Sequence, residues 1–109
     1  MPEYMNDPIY QELVALCESA GIKIEYKKLD ERIYAHTDKY TCIEMSDSEI
    51  YDSSEHAAKV LGHELSHIVL ERMSNDDVHD EDLCDKMGDG LYVLAEMTAM
   101  HKADSIWKG

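Results

Sequence analysis

His63 and His67 stand four residues apart in Leu61-Gly62-His63-Glu64-Leu65-Ser66-His67, with Glu64 directly after the first histidine. On a helix, residues four apart project from one face, one turn above the other. Two imidazoles so placed can bind one ion at about 2.0–2.1 Å each. Glu64 can reach a water beside that ion, take its proton as it attacks a carbonyl, and pass the proton to a leaving amine. This is the chemistry of an HExxH motif. So short a pattern also arises by chance, and the surrounding residues must decide.

The surroundings are helical. Ala57 to Leu70 contains no helix breaker except Gly62, and Leu61, Leu65, Ile68 and Val69 form an apolar stripe beside the face of Val60, His63, Glu64 and His67. Asp52-Ser53-Ser54-Glu55 has the character of a capping box, so the helix is expected from about Glu55 to Met73. A catalytic zinc takes three protein ligands and keeps one position open. Glu71 shares the face but lies eight residues, roughly 12 Å, from His63, too far for one ion. Acids in the 76 to 85 region can reach, but nothing in the sequence governs them. Glu96 is the better candidate. It shares a helix face with Tyr92, Ala99 and Ala103, and those small residues would let two helices approach closely. A carboxylate buried between them needs a cation, which an ion on His63 and His67 would supply.

The rest of the chain must position these groups. Asp7-Pro8 starts a helix carrying Ile9, Leu13, Leu16 and Cys17, and Gly21 stops it. Ile22 to Tyr26, Arg32 to His36 and Tyr40 to Met45 read as strands, separated by a turn at Asp30-Glu31 and another at Thr37-Asp38-Lys39. Asn75 to Asp85 reads as a solvated acidic loop, without the ordered calcium-loop pattern of an EF-hand. A last helix is expected after Asp89-Gly90. The fold class is therefore α+β: a small, partly antiparallel three-stranded sheet packed with an N-terminal helix, a zincin-like active-site helix and a C-terminal ligand helix, in one domain over residues 1–109.

Bulk properties narrow the function classes. The 109 residues carry 24 acids and 10 bases, a formal net charge of -14. Such a surface repels phosphate, so direct nucleic-acid binding is not expected, and a basic partner is favoured. The N-terminal residues do not read as a signal peptide, and no run approaches the roughly 20 apolar residues of a membrane span. Cys17, Cys42 and Cys84 form no disulfide or CxxC pattern and fit a reducing cytoplasm.

With these residues in view, the chain resembles the ImmA/IrrE-type (IrrE N-terminal-like) metallopeptidases of bacteria and their mobile elements. The likeness rests on Leu61 to His67, on Glu96-Met97-Thr98-Ala99-Met100-His101-Lys102-Ala103 as an E-x-x-A-x-x-x-A pattern, and on the order helix, strand, short sheet, motif helix. It covers roughly residues 9 to 104. The resemblance implies metal ligands at His63, His67 and Glu96 and general acid/base work at Glu64. It also implies cleavage or inactivation of a cytoplasmic helix-turn-helix repressor that controls prophage, mobile-element or stress genes. The family commonly continues with more helix and a Leu-Leu-Met-Pro-like segment, where this sequence has Ser105 to Gly109. A His/His/Glu set suits zinc best and also accepts manganese or iron.

Two other readings share some of these features. Peptide deformylase also uses HExxH, but its glycine-rich and Glu-Gly-Cys segments do not occur here, and Cys84 follows the motif helix. A metal-bound or metal-free module that sequesters a regulator without cutting it is the alternative from another class. Retention of Glu64 favours catalysis over it, because metal binding alone does not need that residue. Tyr34 and Tyr92 are candidates by chemistry alone for stabilising an oxyanion, while His79 and His101 read as surface residues.

Overall fold

The computed structural model describes residues 3–30, 32–38, 41–47, 50–73 and 81–108. After a 3-10 turn at Glu3–Asn6, α1 spans Pro8–Ser19. Its start follows the expected chemistry: Asp7 Oδ2 accepts from the Tyr10 N–H at 3.0 Å, and Pro8 fills the first turn. Its end is a Schellman turn. Gly21 takes a φ of 76°, its N–H donates to the Glu18 carbonyl at 3.0 Å, and the Ile22 N–H donates to the Cys17 carbonyl at 2.8 Å.

Three strands follow: β1 (Lys23–Lys27), β2 (Ala35–Thr37) and β3 (Cys42–Ser46). Their spatial order is β1-β3-β2, with β1 parallel to β3 and β2 antiparallel to it. The expected small, partly antiparallel sheet is therefore present, with β3 in the centre. Alternation sorts its faces. Ile24, Tyr26, Ile43 and Met45 turn toward the helices, whereas Glu25, Glu44 and His36 line up on the other side. There His36 Nε2 lies 2.8 Å from Glu44, and the Lys27 ammonium bridges Glu25 (3.0 Å) and Glu44.

α2 spans Ser54–Met73. Its cap is reciprocal, but the partners are shifted from the expected ones. Ser53 Oγ accepts from the His56 N–H at 3.1 Å, and His56 Nδ1, in place of Glu55, accepts from the Asp52 N–H at 3.0 Å. Ala57, Ala58, Leu61, Leu65 and Ile68 are buried against Tyr10, Leu13 and Cys17 of α1 and against Ile43 and Met45 of the sheet. Tyr10 and Tyr26 join α1 to β1 through their hydroxyls at 2.8 Å.

The largest departure from expectation is the last helix. α3 runs Glu81–Lys108, so residues 81 to 85 are helix rather than acidic loop, and Gly88 and Gly90 lie inside it. Acids in a first helical turn are favoured by the helix dipole. A mid-helix glycine costs up to about 1 kcal/mol, and Gly88 offsets this through the close helix contact described below. Asp76, Asp77, His79 and Asp80 lie outside the described residues. No helix among the described residues is long and apolar enough to cross a membrane.

Candidate metal centre

α2 and α3 run antiparallel and touch backbone to backbone. A Cβ built on Gly62 would lie 2.9 Å from the Gly88 carbonyl oxygen, and one on Gly88 would lie 2.9 Å from the His63 nitrogen. No larger residue fits either place without moving a helix. This contact brings the first two turns of α3 over the motif histidines. Cys84, one turn before Gly88, is fully buried there.

The result is a convergence of three side chains. The Nε2 atoms of His63 and His67 lie 3.2 Å apart. Glu81 closes the group, with Oε2 at 2.7 Å from His63 Nε2 and Oε1 at 3.3 Å from His67 Nε2. All three ligand atoms fall within 4.8 Å of one another. The outward nitrogens are held too. His63 Nδ1 lies 2.7 Å from Asp85 Oδ1, and His67 Nδ1 lies 3.4 Å from the buried Cys84 sulfur. A carboxylate only accepts, so the Asp85 contact favours a proton on His63 Nδ1, which turns the Nε2 lone pair, or a second proton, toward Glu81.

That lone pair faces the Glu81 carboxylate and a second imidazole nitrogen. Such an arrangement needs a cation between the groups, either a proton or a metal ion. A tetrahedral ion with bonds of about 2.0–2.1 Å separates its ligands by roughly 3.3 Å. The His–His distance and one His–Glu distance match this. The other His–Glu distance is that of a charge-assisted hydrogen bond. The donor set thus fits a divalent ion, and His63, His67 and Glu81 are the residues that would hold it.

Glu64 lies with His63 on the wall of an open cleft of about 660 Å³. Burial pushes its carboxyl above the ordinary carboxylate range. His63 opposes that rise and the Glu81 charge adds to it. Opposite stand Ile33, Tyr34 and Ala35, leading into the edge strand β2. The Tyr34 ring packs edge-on against His56 at 4.7 Å, so Tyr34 shapes the cleft rim.

Glu96 does not join the histidines. It lies fifteen residues beyond Glu81 on the same helix, roughly 22 Å along the axis. Its neighbour Tyr92, raised by burial and by the charges of Glu55 and Glu96, faces the first turns of α2, where Lys59 stands 5.4 Å over its ring. The carboxylate beside the histidines is Glu81 and not the expected Glu96, for a geometric reason: α3 starts earlier than expected, and its N-terminal turns are the ones opposite His63 and His67. Glu71, rejected on spacing, is also outside the group, and its Oε2 is buried without a hydrogen-bond partner. His101 is exposed, as expected.

A signal for Glu81 was present in the sequence. Glu81-x-x-Cys84-x-x-x-Gly88 repeats the spacing of Glu96-x-x-Ala99-x-x-x-Ala103, a glutamate followed by small residues three and seven later. The surrounding acids and glycines disguised it as loop. Comparison of the chain with protein-family models, with curated proteins and with solved structures gave no match.

Proposed function

We propose that the chain is a zinc-dependent metallopeptidase that cleaves a cytoplasmic regulatory protein, with a basic helix-turn-helix repressor as the substrate class. The observation that carries this reading is the convergence of His63, His67 and Glu81, with His63 oriented by Asp85 and Glu64 on the adjoining cleft wall. The resemblance to ImmA/IrrE-type peptidases supports it with one amendment, Glu81 in place of Glu96 as the third ligand.

A zinc ion bound there supplies Lewis acidity, which acidifies water and polarises a peptide carbonyl. Glu64 then acts as the base. Its half-buried carboxylate accepts the proton of the attacking water and returns it to the amine of the broken bond. The raised proton affinity of Glu64 suits both halves of that transfer. Asp85 holds the His63 ring in the tautomer that leaves Nε2 available. β2 is an edge strand beside the cleft, so an extended substrate segment can lie along it.

The test is cleavage of a candidate repressor by zinc-loaded protein, with Glu64→Gln as the control. The variant should keep about one equivalent of zinc and lose roughly 10²- to 10⁴-fold in rate. Equal rates in both proteins would rule out this mechanism. One observation favours a second reading, a module that binds a regulator without cutting it. Both nitrogens of His63 have carboxylate partners at 2.7 Å, which an imidazolium satisfies without any metal. Zinc content measured beside a His63→Ala, His67→Ala control tests the metal-free form of that module, selected by metal-free wild type after incubation with zinc; for the metal-bound form, the Glu64→Gln comparison decides.

A further inference from the structure

α3 is covered on one side only. Cys84, Gly88 and Ala95 face α2 and α1, and Lys102 ties the far end of the helix to Glu12 of α1 at 2.7 Å. The opposite side carries Val93, Met97 and Met100, which are 51, 60 and 63% exposed. Their spacing of four and three residues makes one stripe along the helix. Exposed apolar side chains gathered in this way mark an interaction surface.

We propose that this stripe docks on the same stripe of a second copy of the chain, antiparallel about a two-fold axis at the level of Ala95. In that register, residues equally far from position 95 face one another. Val93 meets Met97 of the second copy, and Met100 meets Gly90, where nothing lies within 4 Å of a built Cβ, so the thioether has room. Lys86 then faces Asp104, both exposed and in line with the stripe on α3. Two-fold symmetry makes each pairing occur twice.

The charge pattern selects the register and the occupant. Sliding one copy by seven residues sets Val93 against Asp104, or Lys86 against Met97, putting charge on apolar surface in either direction. A self-complementary pattern is what an isologous interface requires, and a general basic partner would not need a lysine at one end of the stripe and an aspartate at the other. The net charge of -14 on each copy opposes association. With only a single helix per copy in contact, the interface falls below standard size and the dimer belongs to the weak, micromolar class.

Sedimentation equilibrium of the full chain, from about 5 to about 200 µM, reads this directly. The expected result is a reversible shift from the 12.5 kDa protomer toward twice that mass. Met97→Glu should abolish the shift. Lys86→Glu and Asp104→Lys should each weaken dimerisation about tenfold, since each reverses two symmetric pairs, and the double variant should restore it. Circular dichroism confirms that every variant keeps its helices. A protomer that stays monomeric at the highest concentration overturns the proposal. So does a dimer indifferent to Met97→Glu, or a double variant no better than the singles.

Discussion

The same spacing, a glutamate followed by small residues three and seven later, occurs twice in α3 and does different work each time. At Glu81, Cys84 and Gly88 the small residues press against α2, and the glutamate reaches two histidines. At Glu96, Ala99 and Ala103 the helix runs past the first turn of α2, and the glutamate stands beside Tyr92. The spacing creates a face that can approach another helix. Chemistry arises only where the approached helix carries complementary groups.

The sharpest way to break the comparison is to neutralise each glutamate in turn. Glu81→Gln should weaken zinc binding by about a hundredfold or more, because it removes a charged ligand. Glu96→Gln should change it less than about twofold. Competition with a chromogenic chelator measures both, and the reverse order would restore Glu96 as the ligand.

The small residues can be tested next. Gly88→Ala forces a Cβ to within 2.9 Å of the His63 backbone and should destabilise the protein by about 1–3 kcal/mol in urea unfolding. Gly90→Ala, two residues on but facing open space, should instead stabilise it by up to about 1 kcal/mol. Equal effects at the two positions would mean that helix propensity, rather than the close contact, governs them.

The smallest expected change on zinc binding among the site residues is at Asp85. Asp85→Asn keeps the shape of the side chain but loses the charge that fixes the His63 tautomer. Zinc affinity should fall roughly tenfold, with little change in unfolding. An unchanged affinity would show that the 2.7 Å contact does not orient the ligand.

Much of the fold was legible because local chemistry and burial agree there. Asp7, Pro8 and Gly21 punctuate α1 as a cap, a first turn and a stop should, and the strands alternate in polarity. The motif helix was legible from its stripe and from the pair of histidines. Strand order was not, since short alternating segments pair equally well either way, and the parallel β1–β3 contact depends on how α1 and α2 pack beneath them. The carboxylate beside the histidines was not legible because Glu81, Asp82, Asp85, Gly88 and Gly90 have loop-like composition. Three of them are explained only by a partner distant in sequence: Gly88 by Gly62, and Asp85 and Glu81 by His63.

The contact between Gly62 and Gly88 has a mechanical consequence. Where two backbones meet with no side chain between them, there is no compressible layer, and the touching point is a fulcrum. Glu81 lies seven residues from it, roughly 10 Å along the axis, and Met100 lies twelve residues the other way, roughly 18 Å. For a rigid helix rocking on that point, a sideways push of about 1 Å at Met100 swings Glu81 by about 0.6 Å in the opposite direction. If Glu81 holds an ion as proposed, a load on the long arm of α3 that overcame its packing against α1 would be felt at that ion.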